Sequence, residues 1–186
     1  MLTFVPVQDK HLLDAELCIM NSNPAYNLIS EDREMLNKQD IAEDREEGKA
    51  VSAKRFLIMD GDFPAGIFEY CPLNPSDKKP WIGLFILHRS YHGKGYAAAA
   101  YETAEKLLLD EGFSEMRLGV LTENERGRKF WIKMGYSAFK EGVHKRQAHH
   151  PLHKTNQVEP DGSTFWLVGR GFLFPAGSLR IKRLPL

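Results

Sequence analysis

The residues best suited to chemistry stand at one junction: His92-Gly93-Lys94-Gly95-Tyr96-Ala97, between the apolar run Trp81-Ile82-Gly83-Leu84-Phe85-Ile86-Leu87 and an alanine-rich stretch. A buried strand that turns through two glycines into a helix gathers several backbone N–H groups without intrahelical partners. With the positive end of the helix dipole, they make an anion site suited to phosphate. Gly93 and Gly95 permit positive φ and let a phosphate approach the main chain closely. Lys94 either adds a charge there or points to solvent. A plain two-glycine turn is the competing reading of the loop alone, because short glycine motifs have low specificity. The loop lacks the glycine spacing of a Walker A motif. It also lacks the third glycine and later acidic residue of the dinucleotide fingerprint.

A second pattern lies about thirty residues further on: Thr122-Glu123-Asn124-Glu125-Arg126-Gly127-Arg128-Lys129-Phe130-Trp131-Ile132-Lys133-Met134-Gly135-Tyr136. Together the two stretches resemble the GNAT superfamily of acyl-CoA-dependent N-acyltransferases. That family's first signature, Gln/Arg-x-x-Gly-x-Gly/Ala, corresponds to His92 through Ala97, with His92 in place of Gln or Arg. Its second signature is an Asn, a helix ending in an aromatic, and Gly-Phe/Tyr. Here these are Asn124, Phe130-Trp131 and Gly135-Tyr136. The resemblance covers roughly residues 2–140, including the order of elements.

The resemblance implies a role for each of these positions. Backbone groups of Phe85, Ile86 and Leu87 pair with the pantetheine arm of acetyl-CoA like a neighbouring strand. His92 and the amides of Gly93, Lys94, Gly95, Tyr96, Ala97 and Ala98 surround its pyrophosphate. Asn124 hydrogen-bonds the pantetheine or orients its helix, and Phe130 packs beside the arm. The implied activity is transfer of acetyl from acetyl-CoA, as cosubstrate, to a primary amine by direct attack on the thioester. A small amine, an amino acid, an antibiotic and a protein N-terminus all stay open as acceptor. The alternative is a CoA-binding sensor or structural homologue with little transferase activity. A nucleotide-binding module is a third reading, disfavoured by the missing Walker elements.

The sequence departs from the family at the general acid. Many members carry a Tyr seven residues after the Asn; here that position is Trp131, whose indole N–H does not exchange protons usefully at neutral pH. Either the thiolate, with a pKa of roughly 8–9, leaves unaided, or Tyr136 or Tyr96 serves. For the general base, Glu69 and Glu123 are the catalytic candidates, with His88 and His92 beside them and water-relayed deprotonation as an alternative.

The elements that must position these groups follow from periodicity. The fold class expected is α/β (α+β): a GNAT fold with a mixed central sheet of six or seven strands flanked by about four helices. A first strand falls at 2–7, and Leu12, Leu13, Leu17 and Met20 mark a helix over 9–20 that breaks at 21–24. Ser30 reads as the N-cap of a second helix, with Glu31, Asp32 and Glu34 in its first turn, ending near Glu47 at Gly48. Two strands, 54–59 and 63–70, flank Asp60-Gly61-Asp62, a hairpin signal. After the loop 71–80, the unbroken apolar run 81–87 reads as a strand buried on both faces. Trp81 within it either lines an acceptor pocket or is plain core. A helix buries Ala97, Ala100, Tyr101, Ala104, Leu107 and Leu108, and a strand follows at 116–121. A short helix over 124–134 is closed by Gly135, and another strand begins at 136. Strands alternating with helices point to parallel pairing mid-sheet.

Composition bounds the rest. With 186 residues, 42% hydrophobic, 27% charged and a formal net charge of zero, the chain suits one soluble domain. Nothing in that balance favours nucleic acid or an anionic membrane as main partner. Residues 140–186 hold eight Lys/Arg against three Asp/Glu, read as a solvated tail. Cys18 and Cys71 read as free thiols. With no signal-peptide pattern and no apolar run near the ~18 residues of a membrane span, the expected location is cytoplasmic. His144, His149, His150 and His153 lack a partnering Cys or carboxylate at ligand spacing, so no metal is expected and a solvated loop is the better reading. The division expected is an acetyltransferase domain over 1–158, its last strand at 154–158, and a C-terminal extension over 159–186. That extension either adds a strand around Phe165-Trp166-Leu167-Val168, covers a neighbouring subunit in a homodimer, or is a divergent tail.

Overall fold

The computed structural model describes residues 2–8, 12–143, 163–170 and 179–180, with side chains through residue 138. Its strands are β1 (Leu2–Pro6), β2 (Lys54–Asp60), β3 (Phe63–Cys71), β4 (Trp81–Leu87), β5 (Glu115–Leu121), β6 (Ser137–Val143), β7 (Ser163–Arg170) and the two-residue β8 (Leu179–Arg180). The helices are α1 (Leu13–Asn21), α2 (Pro24–Glu31), α3 (Lys38–Ala50), α4 (Tyr96–Asp110) and α5 (Glu125–Lys133). One mixed sheet runs β1-β2-β3-β4-β5-β7-β6, with β8 added to β4. The expected fold class holds, with eight described strands and five α-helices in place of six or seven and about four.

Each face of the sheet carries its own core. On one face, Phe56, Ile58, Phe68, Tyr70, Ile82, Phe85 and Leu87 pack against Ala100, Tyr101, Ala104 and Leu108 of α4 and Trp131 of α5. On the other, Leu57, Ile67, Leu84 and Ile86 pack against Ile19 and Met20 of α1 and Ile41 of α3. This two-sided cover is why β4 is an unbroken apolar run. The hairpin turn is Gly61-Asp62, since Asp60 pairs with Phe63, and Gly61 takes φ +59°. β3 and β4 approach tightly at Gly66, where a Cβ would meet the Ile86 carbonyl oxygen at 2.5 Å.

The helices before β2 differ from the sequence expectation. Ser30 caps nothing: it is buried near the end of α2. Pro24 occupies the first turn of α2, where its fixed φ fits and its missing N–H costs no hydrogen bond. Asp32 ends α2 at φ +59°. The acids taken for a first turn therefore lie at a C-terminus and in the connection that follows. The next helix begins at Asn37, whose side chain accepts from the Gln39 and Asp40 amides while Asp40 accepts from the Asn37 amide. This capping box satisfies amides that the helix leaves open. Gly48 does not stop α3, which continues to Ala50.

In the C-terminal half, the suggested strand around Phe165-Trp166-Leu167-Val168 is β7, inserted antiparallel between β5 and β6. The expected strand at 154–158 and the histidines 144, 149, 150 and 153 lie outside the described residues.

Between α1, α3 and the sheet sits a buried charged cluster. Arg55 Nε donates to Glu69 Oε2 at 2.7 Å, Arg55 Nη2 pairs with Asp44, and Arg45 Nε donates to Glu16 Oε2 at 2.6 Å. Arg55 Nη1 lies 3.5 Å from Glu16 Oε1, and the Glu16 side chain is 0% exposed. Burial pushes the Glu16 carboxyl up, and Arg55 and Arg45 pull it back down. Removing one partner of such a cluster strands charge in the core. Arg55→Leu is therefore expected to lower unfolding free energy by about 3–5 kcal/mol, read as a shifted urea midpoint at unchanged slope.

Candidate active site

β4 and β5 run parallel but pair only at Trp81 and Arg117. Asp77 pins that point, accepting from Trp81 Nε1 at 3.0 Å and from Arg117 Nη1 at 2.9 Å, while the Arg117 amide donates to the Pro80 carbonyl at 2.9 Å. Beyond it the two strands share no further pair. The divergence opens at their C-terminal ends, where ligand sites of α/β sheets form. Gly83 is the unpaired residue of a bulge, since Glu69 pairs with Leu84 but Tyr70 with Ile82. After the bulge, His88 N–H donates to the Ala65 carbonyl at 2.8 Å. By strand alternation, the backbone groups of Phe85 and Leu87 then address the edge facing β5.

A cleft of about 600 Å³ fills this opening, lined by Phe85 and Ile86 of β4, the loop into α4, residues 123–127 and Phe130. That volume suits a small-molecule site. Its far wall is the elbow between α1 and α2, with Ser22, Asn23 and Tyr26. Side chains weld the elbow to the exit of β4. Asn23 Nδ2 donates to the Leu87 carbonyl at 3.0 Å and to the Ile19 carbonyl at 2.9 Å, and the Arg89 amide donates to Ser22 Oγ at 3.0 Å. Asn27, fully buried, donates to the Met20 and Glu34 carbonyls at 3.0 and 2.9 Å.

The loop has the geometry its glycines allow: Gly93 and Gly95 take φ +73° and +80°, and a Cβ at either would meet nothing within 4 Å. Gly95 caps α4, and the amides that open that helix have no i−4 partner within it. His92 Nε2–H donates to the Leu87 carbonyl at 3.0 Å, and Arg126 Nη1 approaches His92 Nδ1 at 3.4 Å. Burial lowers the His92 pKa most, Arg126, Arg89 and His88 push the same way, and the Leu87 bond opposes them. Arg89 and Arg126 also line the cleft, so with the helix N-terminus this end favours anions.

Of the residues singled out from sequence, Phe85, Ile86, His92, Gly93, Gly95, Ala97, Asn124, Phe130 and Glu123 line the cleft. Leu87 borders it through its backbone, and Lys94 is exposed on the loop. Tyr96 and Ala98 turn toward the core, Tyr96 edge-on to Tyr91 at 4.9 Å. Asn124 caps α5, accepting from the Gly127 amide at 2.9 Å, and Phe130 stacks on Phe85 at 6.3 Å. Glu69 stands elsewhere, 4% exposed against Arg55 on the α1–α3 face. His88 bonds Ser90 Oγ at 2.8 Å and caps the 3-10 turn over 89–91. Trp81 is core, 6% exposed.

Trp131 is 0% exposed and packs against Tyr101 and Tyr136 with ring centres 5.0 Å away in each case. Tyr101 and Tyr136 hydrogen-bond to each other, and burial pushes both phenols up. Tyr136 is thus part of this core and not of the cleft lining. Sequence reasoning missed Ser22, Asn23, Tyr26, Arg89, Tyr91 and Arg126. A polar break before a proline was visible at 21–24, but its contact with a strand more than sixty residues away was not.

Solved structures share this architecture. An acetyltransferase from Thermus thermophilus superposes with a TM-score of 0.69 at 17% identity, covering 91% of this chain and 97% of that one. RimL, a ribosomal alpha-N-protein acetyltransferase in complex with coenzyme A, gives 0.68 at 13% identity over 91% and 93%. A spermidine N-acetyltransferase from Vibrio cholerae, in complex with CoA and spermine, gives 0.65 at 14% over 91% and 95%. These likenesses concern the fold. Comparison with curated proteins gives no match. The family model described as "Acetyltransferase (GNAT) family" matches residues 22–136, more than half of the chain. That span runs from the α1–α2 elbow to Tyr136 and includes every residue lining the cleft. The chain belongs to the GNAT acetyltransferase family.

Proposed function

We propose that this protein is an N-acetyltransferase that moves acetyl from acetyl-CoA to a primary amine, of a small molecule or a protein, by direct attack on the thioester. The observation that carries the reading is the cleft beside β4, which joins the strand edge that β5 leaves after Trp81 to a glycine-shaped helix N-terminus. An amide-bearing arm suits the edge, and a pyrophosphate suits the helix end with Arg89 and Arg126 beside it. Two of the solved structures with this fold hold CoA, which agrees with this choice of cosubstrate. No group of three His, Cys, Asp or Glu among the described residues could hold a metal. No helix among them is long and apolar enough to cross a membrane.

Acetyl-CoA supplies an activated thioester whose carbonyl accepts the amine. The protein positions the amine, removes its proton and excludes competing water. Glu123 is the candidate base on the cleft wall, whereas Glu69 is committed to Arg55. The backbone amide of Leu87, on the edge that β5 leaves, is a donor available to polarise an acyl oxygen. With Trp131 sealed in the core, the thiolate departs without a proton from that position. The same feature favours the second reading, a CoA-binding protein with little turnover.

Thermal unfolding with acetyl-CoA, ATP or phosphate tests the site. Acetyl-CoA alone is expected to raise the midpoint by binding linkage. Gly95→Val, which forces a β-branched residue to φ +80°, is expected to abolish that rise in a folded protein. An equal rise with ATP would remove the CoA assignment. Free-thiol release across a panel of amines then separates transferase from sensor.

Glu123→Gln is expected to lower kcat by roughly 100-fold or more. Glu69→Gln should lower stability while folded protein turns over normally. A full rate in Glu123→Gln would return the deprotonation step to solvent.

His92 gives a stability test. Its folded-state pKa is lowered, so the unfolded chain takes up the proton first as pH falls below about 6.5. Stability present above that pH is therefore lost as pH drops toward the folded value. His92→Gln can still donate to the Leu87 carbonyl but does not titrate. Urea unfolding between pH 7 and 5 should show native protein losing more stability than the variant.

A further inference from the structure

β4 has two edges, and only one is filled by a neighbour along its whole length. β3 pairs with it from Trp81 to Leu87, whereas β5 pairs only at Trp81. Of the groups facing the open edge, the Leu87 carbonyl already accepts from both Asn23 and His92. The backbone of Phe85 and the amide of Leu87 remain to address an incoming strand. A strand does arrive there, and it belongs to this chain. β8 pairs antiparallel with β4, Leu179 opposite Phe85 and Arg180 opposite Leu84, and it lies between β4 and β5. Alternation makes Phe85 and Leu179 the pair that exchanges hydrogen bonds.

We propose that β8 is an internal occupant of the edge that receives the pantetheine arm, so that the C-terminal segment restrains acetyl-CoA binding and must leave β4 before the arm can pair with Phe85. This rests on reading the cleft as a CoA site. The interaction is strand addition to an open sheet edge, in which main-chain hydrogen bonds give the affinity. Tethering replaces a second molecule with a high effective concentration. A ladder of two residues is short, so the closed form dominates without locking the site. The apparent dissociation constant is then the intrinsic one divided by the fraction open. Two net hydrogen bonds of ordinary strength correspond to a restraint on the order of 5- to 150-fold.

The test uses the full-length chain. Leu179→Pro removes the amide that pairs with Phe85, while Leu179→Ala keeps it. By isothermal titration calorimetry, Leu179→Pro should bind acetyl-CoA about 5- to 150-fold more tightly than native protein, and Leu179→Ala should stay near native. Hydrogen exchange reads the pairing independently of any variant. In the native chain without cosubstrate, the Phe85 and Leu179 amides should both be protected. At saturating acetyl-CoA, Leu179 should lose protection while Phe85 keeps it. Equal, measurable affinity in native protein and Leu179→Pro would overturn the restraint and leave the CoA reading intact. Leu179 protection that survives saturation would overturn it as well, even if the proline variant failed to fold. No binding by any of the three proteins would overturn the CoA reading, and this inference with it.

Discussion

Two parallel strands that pair at one point and then part create the constraint on which the rest of this structure depends. Backbone groups along a buried strand must be hydrogen-bonded, because an orphaned amide or carbonyl in the core costs about 1–3 kcal/mol. β4 is buried on both faces by the two cores, yet β5 leaves its edge after Trp81. Everything next to that edge can be read as an answer to the same question: what satisfies Phe85 and Leu87? The Leu87 carbonyl is answered from within the fold, by Asn23 and His92. Phe85 is answered by β8. Under the proposed function, the edge that pairs with one strand is also the edge that pairs with the amides of the cosubstrate arm.

The two donors to Leu87 also explain how distant parts of the chain are held in register. Asn23 comes from the α1–α2 elbow and His92 from the loop into α4, so one carbonyl fixes the wall and the anion loop relative to each other. Ser22, bonded to the Arg89 amide, repeats the connection one residue before Asn23 and two residues after Leu87. The buried charges on the opposite face do different work. Arg55 ties β2 to β3 through Glu69, and to the helices through Glu16 and Asp44. Buried ion clusters of this kind are weak evidence for net stability but are costly to break. Glu69 is therefore better explained by its neighbour across the hairpin than by the cleft.

Local signals in the sequence were sound where one element decides the outcome. The hairpin at Gly61, the doubly buried run of β4, the glycines before α4 and the Gly135 stop all follow from backbone sterics and periodicity. Failures came where distance or register decides. The acids after Ser30 look like a helix start, but Pro24 had already begun the helix that ends there, and the true cap is Asn37 with Asp40. Glu69 looked able to reach a cleft because its face depends on a bulge: pairing shifts by one between Ile58 and Met59, which sets Arg55 opposite Glu69. A one-residue shift exchanges the faces of a strand, and no composition rule reports it. The length over which β4 and β5 pair is equally silent, since β4 stays apolar from Trp81, where it pairs with β5, to its end.

Trp131 shows how packing and chemistry compete for one position. Seven residues after Asn124, on a helix that Gly135 terminates, the side chain projects into the sheet and meets Phe85, Tyr101, Phe130 and Tyr136. An indole there fills more volume than a phenol and has no labile proton to give. The hydroxyls of Tyr101 and Tyr136 are bonded to each other and pushed up by burial, so neither replaces the missing acid. Under the proposed activity, the thiolate leaves without a proton from Trp131, Tyr101 or Tyr136. The demands fall on the parts of the cleft that position and deprotonate the acceptor: the α1–α2 elbow, Glu123 and the amides of β4. Of these, the elbow is bonded to the Leu87 carbonyl through Asn23, so under the proposed activity the acceptor wall and the cosubstrate edge are held by the same strand end.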